Sequence, residues 1–361
     1  MDNGRVIAAS RGRKLRATPV FDTYWRFAAE RQRVFMKRCA GEPQPWTKDD
    51  IIGAHRFTNV YRASDRVSQY LISRVIYEGP QAIDEVFFRT LLFKIFNRID
   101  TWEYLNEQLG PPSVTRFSVD AYARSMDAAM DAKRKLYSAA YIMPSPAFGN
   151  ARKHRNHLEL LAKMLREGLP SKITKAASLK HVFELLVEQP SLGDFLAFQF
   201  AIDLNYSEIV DFSEMDFVVA GPGARDGISK CFSDTDGCTE AEVIEIVAKI
   251  ADSEFDRLKL PFHKLGGARA LQLIDCQNVF CELSKYARVK HPDVAGLSGR
   301  TRIKQKYTAD PTPLPQRYPD KWRIAAIAPA SLRRELGVEP REGAQRNVGV
   351  QQSFGFVTAR T

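Results

Sequence analysis

The run VFFRTLLFKIFNRIDTWEYL, residues 86–105, constrains the fold more than any other part of the chain. Its large apolar residues recur at helical spacing, yet the run is apolar on nearly every side. The residues that mark the helical face are Phe87, Leu91, Ile95, Ile99 and Trp102. A helix that is apolar all round is typical of the middle of a helical bundle, where other helices cover it. We therefore predict one central helix within a bundle.

Amphipathic helical periodicity dominates the rest of the chain. It marks a helix near Phe21 and Trp25, and it continues through residues 57–76, 158–169, 178–189 and 191–204. We expect Ser178 and Ser191 to cap the last two helices. The best strand candidate is the short run FVVAG, residues 217–221. The predicted fold is all-α or nearly so.

Composition divides the chain into a core and two ends. Residues 1–18 carry five Lys or Arg against one Asp and read as a flexible basic arm, and residues 309–361 read as a Pro/Arg-rich C-terminal extension. The helical body is predicted over residues 19–308. Five cysteines in 361 residues indicate a reducing, cytoplasmic setting rather than a disulfide framework. Neither a signal sequence nor an apolar run of membrane-spanning length is visible, so we expect no membrane partner.

Residues 285–306 concentrate positive charge, with seven Lys or Arg against Asp293 alone. The formal charge of the whole chain is +10, which favours an anionic partner. A phosphate backbone is the natural counter-surface for such a segment, and a solvated basic face explains the charge equally well. The residues assigned to a DNA backbone here are Lys285, Arg288, Arg300, Arg302 and Lys304.

The glycines of DFVVAGPGARDGISKCF predict a tight turn. Gly221, Gly223 and Gly227 expose main-chain N–H groups that bind anions well, and Arg225 and Lys230 add charge. The segment lacks the Gly-Lys-Ser/Thr ending of a Walker loop and the flanking strands of a dinucleotide site. It is either a DNA-backbone contact or a plain turn between helices.

An isolated carboxylate, Asp275, stands where an apolar segment meets the start of a helix. An Asp at such a site most often caps the helix. It is also the charged group that a DNA glycosylase needs to stabilise an oxocarbenium-like sugar or to activate water. Gln277 and Asn278 follow it and have the chemistry to grip a base edge.

Two further polar sets interrupt apolar helical segments. The first predicts one polar helical face, which is either the solvent face or the lining of a base pocket. The second lies in a strongly apolar helix, where polar groups form either a structural network or a site. The two sets are Asn59, Arg62, Asp65, Arg66 and Gln69, and Gln199, Asp203, Asn205 and Tyr206. Cysteine and histidine spacings match no metal motif, so we expect neither a metal nor a cofactor.

Six blocks occur in the order of a known family: FDTYWRFAAERQ, FTNVYRASDRVSQYLI, FRTLLFKIFNRIDTWE, DFVVAGPGARDGISKCF, LIDCQNVFCELSKYAR and GRTRIKQKY. Together they resemble the α-glutamyl/putrescinyl-thymine pyrophosphorylases, whose helical domain also occurs fused to 5-hydroxymethyl-deoxyuridine DNA kinases. The resemblance runs from about Phe21 to Trp322. It implies a bundle similar to helix-hairpin-helix DNA glycosylases, with the Gly221–Gly227 turn on DNA and Asp275 in the place of the glycosylase aspartate. The four-cysteine iron–sulfur signature is incomplete and no P-loop segment is visible, so neither a cluster nor nucleotide kinase activity is expected.

These observations favour an enzyme that acts on DNA containing modified pyrimidines. In the preferred hypothesis Asp275 assists cleavage of the N-glycosidic bond of a flipped-out base, leaving an abasic site, an activity useful in defence against phages. In the second, the glycosidic bond survives and an amine replaces pyrophosphate on 5-hydroxymethyl-deoxyuridine. In the third, the protein is a non-catalytic reader of modified DNA.

Overall fold

The computed structural model describes residues 5–8, 12–308, 316–325 and 329–337. Helices make up most of this part of the chain, and a small antiparallel sheet accompanies them. The strands are β1 Val6–Ala8, β2 Lys14–Ala17 and β3 Phe232–Asp234. The α-helices are α1 Pro19–Cys39, α2 Asp50–Ala54, α3 Arg66–Tyr70, α4 Ile83–Phe96, α5 Ile99–Leu109, α6 Val119–Asp131, α7 Lys153–Arg166, α8 Leu169–Thr174, α9 Leu179–Val187, α10 Asp194–Leu204, α11 Pro222–Cys231, α12 Glu240–Arg257, α13 Leu273–Lys290 and α14 Pro329–Glu335.

Helix α4 is the central helix that the apolar run predicts. Every residue from Glu85 to Phe96 is buried, and α7, α8 and α10 pack around it. The run does not continue as one helix, because Asn97 adopts a left-handed conformation with φ 47° and ends α4. Asn tolerates this conformation better than most residues. The mainly helical fold is thus confirmed.

The polar set near Asn59 is not one helical face, and that prediction is wrong. Residues before Arg66 form an extended stretch and a short 3₁₀ turn, Arg62–Ser64. Asn59 holds this shape, since its main-chain N–H donates to Asp65 Oδ1 at 2.6 Å and its side chain donates to Ser64 O at 2.7 Å. Such local bonds compete with helix formation. Helix α3 starts only afterwards and continues into a π-helical turn, Leu71–Ile76.

The basic arm is partly a strand pair. Strands β1 and β2 are antiparallel, with Ile7 opposite Leu15, and β2 pairs with β3. Leu15 is fully buried, and Arg5 forms an ion pair with Glu254 of α12. The prediction of a flexible arm is therefore wrong for the described part of residues 1–18. The strand predicted at residues 217–221 is wrong too, because these residues take no regular structure.

Gly223 and Gly227 lie in α11 and Gly221 is its N-cap residue, so the prediction of a tight turn is wrong. Pro222 occupies the first position of α11, where its missing N–H costs nothing. A Cβ on Gly223 would overlap Cys281, and one on Gly227 would overlap the main chain of Phe280. The glycines therefore allow α11 to pack directly against α13.

Ser178 caps α9 as predicted, because its Oγ accepts the N–H of His181 at 3.1 Å. Ser191 does not cap α10. It has φ 65°, and Gly193 is the residue before the helix.

Part of the predicted C-terminal extension packs on the body. Tyr318 is buried and shares a hydrogen bond of 3.0 Å with Ser64, while Lys321 Nζ donates to the carbonyls of Ser207 and Val210. Helix α14 packs on the end of α1. In the described ranges, none of the helices has the length and apolar character needed to cross a membrane.

Candidate functional site

A buried group of polar side chains from three elements lies at the centre of the bundle. We call it the Arg62 cluster; its members are Arg62 from the 3₁₀ turn, Lys94 from α4, Gln199 and Asp203 from α10, and Tyr206 just after α10. Arg62 Nη1 lies 2.7 Å from Asp203 Oδ1, and Lys94 Nζ lies 2.8 Å from Asp203 Oδ2. Arg62 also donates to Gln199 Oε1 at 2.9 Å and to the Tyr206 hydroxyl at 3.1 Å.

The Arg62 cluster holds two cations and one carboxylate. Burial lowers the pKa of Lys94 to about 8, although Asp203 opposes the shift. Burial also works against ionisation of Asp203, but the two cations prevail and hold its pKa below the usual value. Among the described residues, no second carboxylate lies within ion-pair distance of Arg62 or Lys94. An anionic group would therefore complete the cluster, because a buried net charge is costly to leave unpaired.

Two aromatic rings separate this cluster from the surface. The ring centroid of Tyr141 lies 4.1 Å from Lys94 Nζ, and its hydroxyl donates to Gln199 Oε1 at 3.4 Å. Phe195 stacks on Tyr141 with centroids 6.0 Å apart, and it touches Gly221. Both rings are partly exposed, whereas the cluster behind them is buried.

Asp275 acts as a cap in this structure. Its Oδ1 accepts the main-chain N–H of Arg62 at 2.8 Å, and its Oδ2 accepts that of Gln272 at 3.0 Å. Burial, followed by the charge of Glu214, raises the pKa of Asp275 to about 7. Main-chain amides thus bind both carboxylate oxygens. Asp275 therefore has the capping role, which was one of the two roles predicted for it from the sequence.

The two amides that follow Asp275 have different surroundings. Gln277 is 4% exposed and lies against Gly221, and its side-chain amide has no hydrogen-bond partner in the described part of the chain. Asn278 donates to Asn59 O at 2.8 Å and accepts from Thr58. Gln277 is therefore the freer of the two to meet a ligand.

Asn59 and Asp65 belong to a second polar group, which also includes Arg31 of α1. Arg31 donates to Asn59 Oδ1, and burial raises the pKa of Asp65 to about 7. The other predicted pocket residues lie elsewhere: Arg66 is exposed, and Asn205 pairs with both main-chain groups of Phe212 at 2.9 and 3.0 Å. The single pocket predicted from sequence is therefore only partly assembled, around Arg62, Gln199, Asp203 and Tyr206.

The basic segment forms an open cavity of about 380 Å³, which we call the basic cleft. Its lining residues are Arg288, Gly299, Arg300, Thr301, Arg302, Lys304 and Gln305. Arg288 donates to Arg302 O at 3.3 Å, and in the described ranges none of the four cations pairs with a carboxylate. Lys285 does not line the cleft; it pairs with Glu282 at 2.6 Å and covers the ring of Phe57.

Lys230 and the glycines are not placed to hold a DNA backbone. Lys230 is 1% exposed, donates to Ser284 O at 3.0 Å and lies 3.3 Å from Asp226. Gly223 and Gly227 face α13. Arg225 is exposed and lies 3.9 Å from Glu240. The expectation of a contact with a DNA backbone therefore does not hold for Lys230, Gly223 and Gly227.

Helix α13 links the buried cluster to the basic cleft. Cys281 of α13 packs on Gly223, two residues after the Gly221 that touches Phe195, and Arg288 lies seven residues beyond Cys281. Residues seven apart share one helical face, and seven residues span roughly 10 Å along the axis. The cleft and the aromatic pair thus lie along one side of α13.

Lys94 and Tyr141 were not predicted from the sequence as site residues. The signal for Lys94 was present, because a lysine inside a helix that is apolar all round must find a buried partner. Tyr141 lies in a loop, and no local pattern marks it. In the part of the chain that the structure describes, no three His, Cys, Asp or Glu side chains are grouped to hold a metal ion.

Comparisons with known proteins agree with the resemblance noted in the sequence. The family described as 5-hmdU DNA kinase, helical domain, matches residues 18–296. The chain is 23% identical over 286 residues to a 5-hmdU DNA kinase of Bacillus phage SP10. The matched part is 74% of this chain but only 45% of that relative. No solved structure matches the chain.

Proposed function

The chain belongs to the family of the helical domain of 5-hmdU DNA kinase, and from that membership we propose that it acts on 5-substituted deoxyuridine in DNA during thymine hypermodification. The observation that carries the proposal is the Arg62 cluster, in which two buried cations face one carboxylate. Its excess positive charge suits a base whose 5-substituent carries a phosphoryl group. Family membership points to the DNA base, and the charge points to the kind of substituent.

The basic cleft is the proposed contact with the DNA backbone. Its four cations have no carboxylate partners among the described residues. DNA phosphates can therefore pair with them without first breaking an ion pair, and counterions are released. Such contacts fix the register of the duplex without reading its sequence. The target base must then leave the stack to reach the cluster.

The proposed path of the base runs past Tyr141 and Phe195. Partly exposed aromatic rings are good stacking partners for an extruded base. Gln277 is buried, and its side-chain amide, which has no hydrogen-bond partner in the described ranges, would meet the base edge. Behind the rings, Lys94 and Arg62 would receive the charged substituent.

The proposed chemistry is replacement of pyrophosphate by an amine. The amine nitrogen attacks the exocyclic methylene carbon, the carbon–oxygen bond breaks, pyrophosphate leaves with the electron pair, and the nitrogen then loses a proton. Charge grows on the leaving group as that bond breaks, and the fixed cations Arg62 and Lys94 would stabilise it. Asp203 would hold both cations in place.

Glycosidic hydrolysis, the preferred hypothesis from sequence, is less well supported. The matched relative is named as a kinase of the base, not as a glycosylase. Asp275, the proposed catalytic group, gives both carboxylate oxygens to main-chain amides. We therefore propose the substituent transfer in its place.

The test uses duplexes that contain thymine, 5-hydroxymethyluracil, or 5-hydroxymethyluracil carrying a diphosphate, each incubated with the protein and putrescine. Mass spectrometry of the digested nucleosides and a pyrophosphate assay follow. We expect a new nucleoside mass and pyrophosphate only from the diphosphate duplex, and loss of both in Lys94→Met. Abasic sites would instead establish a glycosylase, and tight binding of modified DNA with no mass change would favour a reader.

A further inference from the structure

Ile142 is an apolar side chain left almost entirely in water. It is 81% exposed, whereas Tyr141 before it is partly buried and Met143 after it is 1% exposed. Isolated exposed apolar residues are common and need no explanation by themselves. Two further features, the anchored residues on both sides and the place of the loop in the fold, distinguish this one.

The loop holds Ile142 from both sides. Tyr141 packs on Lys94 and Phe195, and Met143 is inserted in the core. The next residue is a proline, and the ring Nε2 of His157 lies 2.8 Å from the Pro144 carbonyl oxygen. Proline restricts the backbone, and the buried neighbours fix both ends of the dipeptide. The backbone on both sides of the isoleucine is thus anchored, and its side chain extends into solvent.

Ile142 also lies at the rim of the aromatic pair. Tyr141 separates the Arg62 cluster from the surface, and Ile142 follows it directly on the solvent side. Phe195 continues this rim to Gly221, and α13 leads from there to the basic cleft. A duplex held in the cleft along α13 would therefore meet Ile142 beside the route of an extruded base.

We propose that Ile142 is a wedge that enters the base stack of DNA and fills the space left by the extruded pyrimidine. Proteins that kink or open a duplex insert apolar side chains between base steps. The inserted side chain moves from water into the stack and so favours the extruded state. This inference rests on the proposed function, because it requires that a base leaves the duplex.

The test measures base extrusion rather than turnover. A duplex carries the diphosphate of 5-hydroxymethyluracil next to 2-aminopurine, whose fluorescence rises when it loses its stacking partner, and no amine is supplied. We expect the wild-type protein to raise the fluorescence. Ile142→Ala should lower the extrusion constant by roughly 10- to 60-fold, because Ala lacks three carbon atoms of Ile and the burial of each is worth up to about fourfold. Ile142→Leu should keep most of the effect. Ile83→Ala, the same substitution at a side chain that is 43% exposed at the start of α4, is the matched control.

A second duplex, with an abasic site opposite the target base, supplies the rescue. Its target base has no pairing partner and leaves the duplex at lower cost, so Ile142→Ala should bind it as tightly as the wild type does. Equal extrusion by Ile142→Ala and wild type on the intact duplex would overturn the wedge and leave the proposed function standing. A wild-type protein that binds neither duplex, or binds without a rise in fluorescence, would overturn both.

Discussion

Gly227 offers the sharpest test of the packing between α11 and α13. A Cβ at this position would lie 2.8 Å from the carbonyl carbon of Phe280 and closer still to its oxygen. Non-bonded carbon atoms pack at about 3.5–4.0 Å, so Gly227→Ala forces the two helices apart by roughly 1 Å. The obstacle is main chain, which no change of rotamer removes.

The magnitude follows from two opposing effects. Overpacking a core costs about 1–3 kcal/mol, and the upper end applies when the obstacle is backbone. Replacing a helical glycine by alanine returns about 0.5–1 kcal/mol. We expect Gly227→Ala to lower the free energy of unfolding by about 2 kcal/mol. Gly223→Ala should cost less, because its main obstacle is the side chain of Cys281, which can rotate.

Gly53 provides the control. It lies in helix α2, and a Cβ there would meet only Thr47 Cγ2 at 3.9 Å. Gly53→Ala should therefore be neutral or stabilising by up to about 1 kcal/mol. Urea denaturation followed by far-ultraviolet circular dichroism measures all three variants. A Gly227→Ala protein as stable as wild type but weakened in DNA binding would refute the packing role and restore the backbone-contact hypothesis.

Three other perturbations test the charges. Asp203→Asn should lower the free energy of unfolding by about 3–5 kcal/mol, because it leaves two buried cations without a carboxylate partner. The double variant with Lys94→Met should recover part of this loss, as measured by urea denaturation. Arg302→Ala and Lys304→Ala should each weaken DNA binding irrespective of sequence and reduce the slope of log K against log salt by about 1, as measured by fluorescence anisotropy. Burial raises the pKa of Asp275 to about 7, so the folded protein binds a proton at this carboxylate that the unfolded chain has already lost. The free energy of unfolding should therefore fall by up to about 4 kcal/mol as the pH rises from 4 to 7, and Asp275→Asn should remove this fall.

Each of these three predictions would be contradicted by a specific result. Wild-type stability in Asp203→Asn would mean that another group compensates Arg62. Lys180, which pairs with Glu184 on α9 at 3.7 Å, is the control cation for the cleft, and an equal change of salt slope in Lys180→Ala would make the cleft unexceptional. For Asp275 the pH dependence is compared rather than the absolute stability, and an unchanged dependence in Asp275→Asn would assign the fall to other groups.

Local physics made some of the fold predictable. Helix α4 is apolar on all sides and is central for that reason, and Ser178 caps α9 through its own side chain. The break at Asn97 was hidden, because nothing in the apolar periodicity changes where the chain turns left-handed. Pro222 at the first position of α11, with glycines four residues apart behind it, was a readable helix signal that the turn prediction overlooked.

Contacts between residues that are far apart in the sequence could not be predicted. Strands β1 and β2 are three and four residues long, too short for alternation to show, and β2 pairs with β3, more than 200 residues later. Arg62 and Asp203 were each recognisable as polar residues in apolar surroundings. Only the packing of α4 against α10 shows that Lys94 joins them and changes the charge of the site.

The boundary of the family match separates the Arg62 cluster from three of the four cations of the basic cleft; Arg288 lies inside the matched residues. All members of the Arg62 cluster lie within residues 18–296, whereas Arg300, Arg302 and Lys304 of the basic cleft lie beyond it. The proposed base chemistry thus uses residues from the stretch that this chain has in common with its family, and the proposed backbone grip depends on the segment that follows. Because additivity holds for sites that share no partners, substitutions in the cleft should change DNA affinity without changing the reaction at the bound base. A cleft variant that altered the product rather than the affinity would show that the two parts act as one.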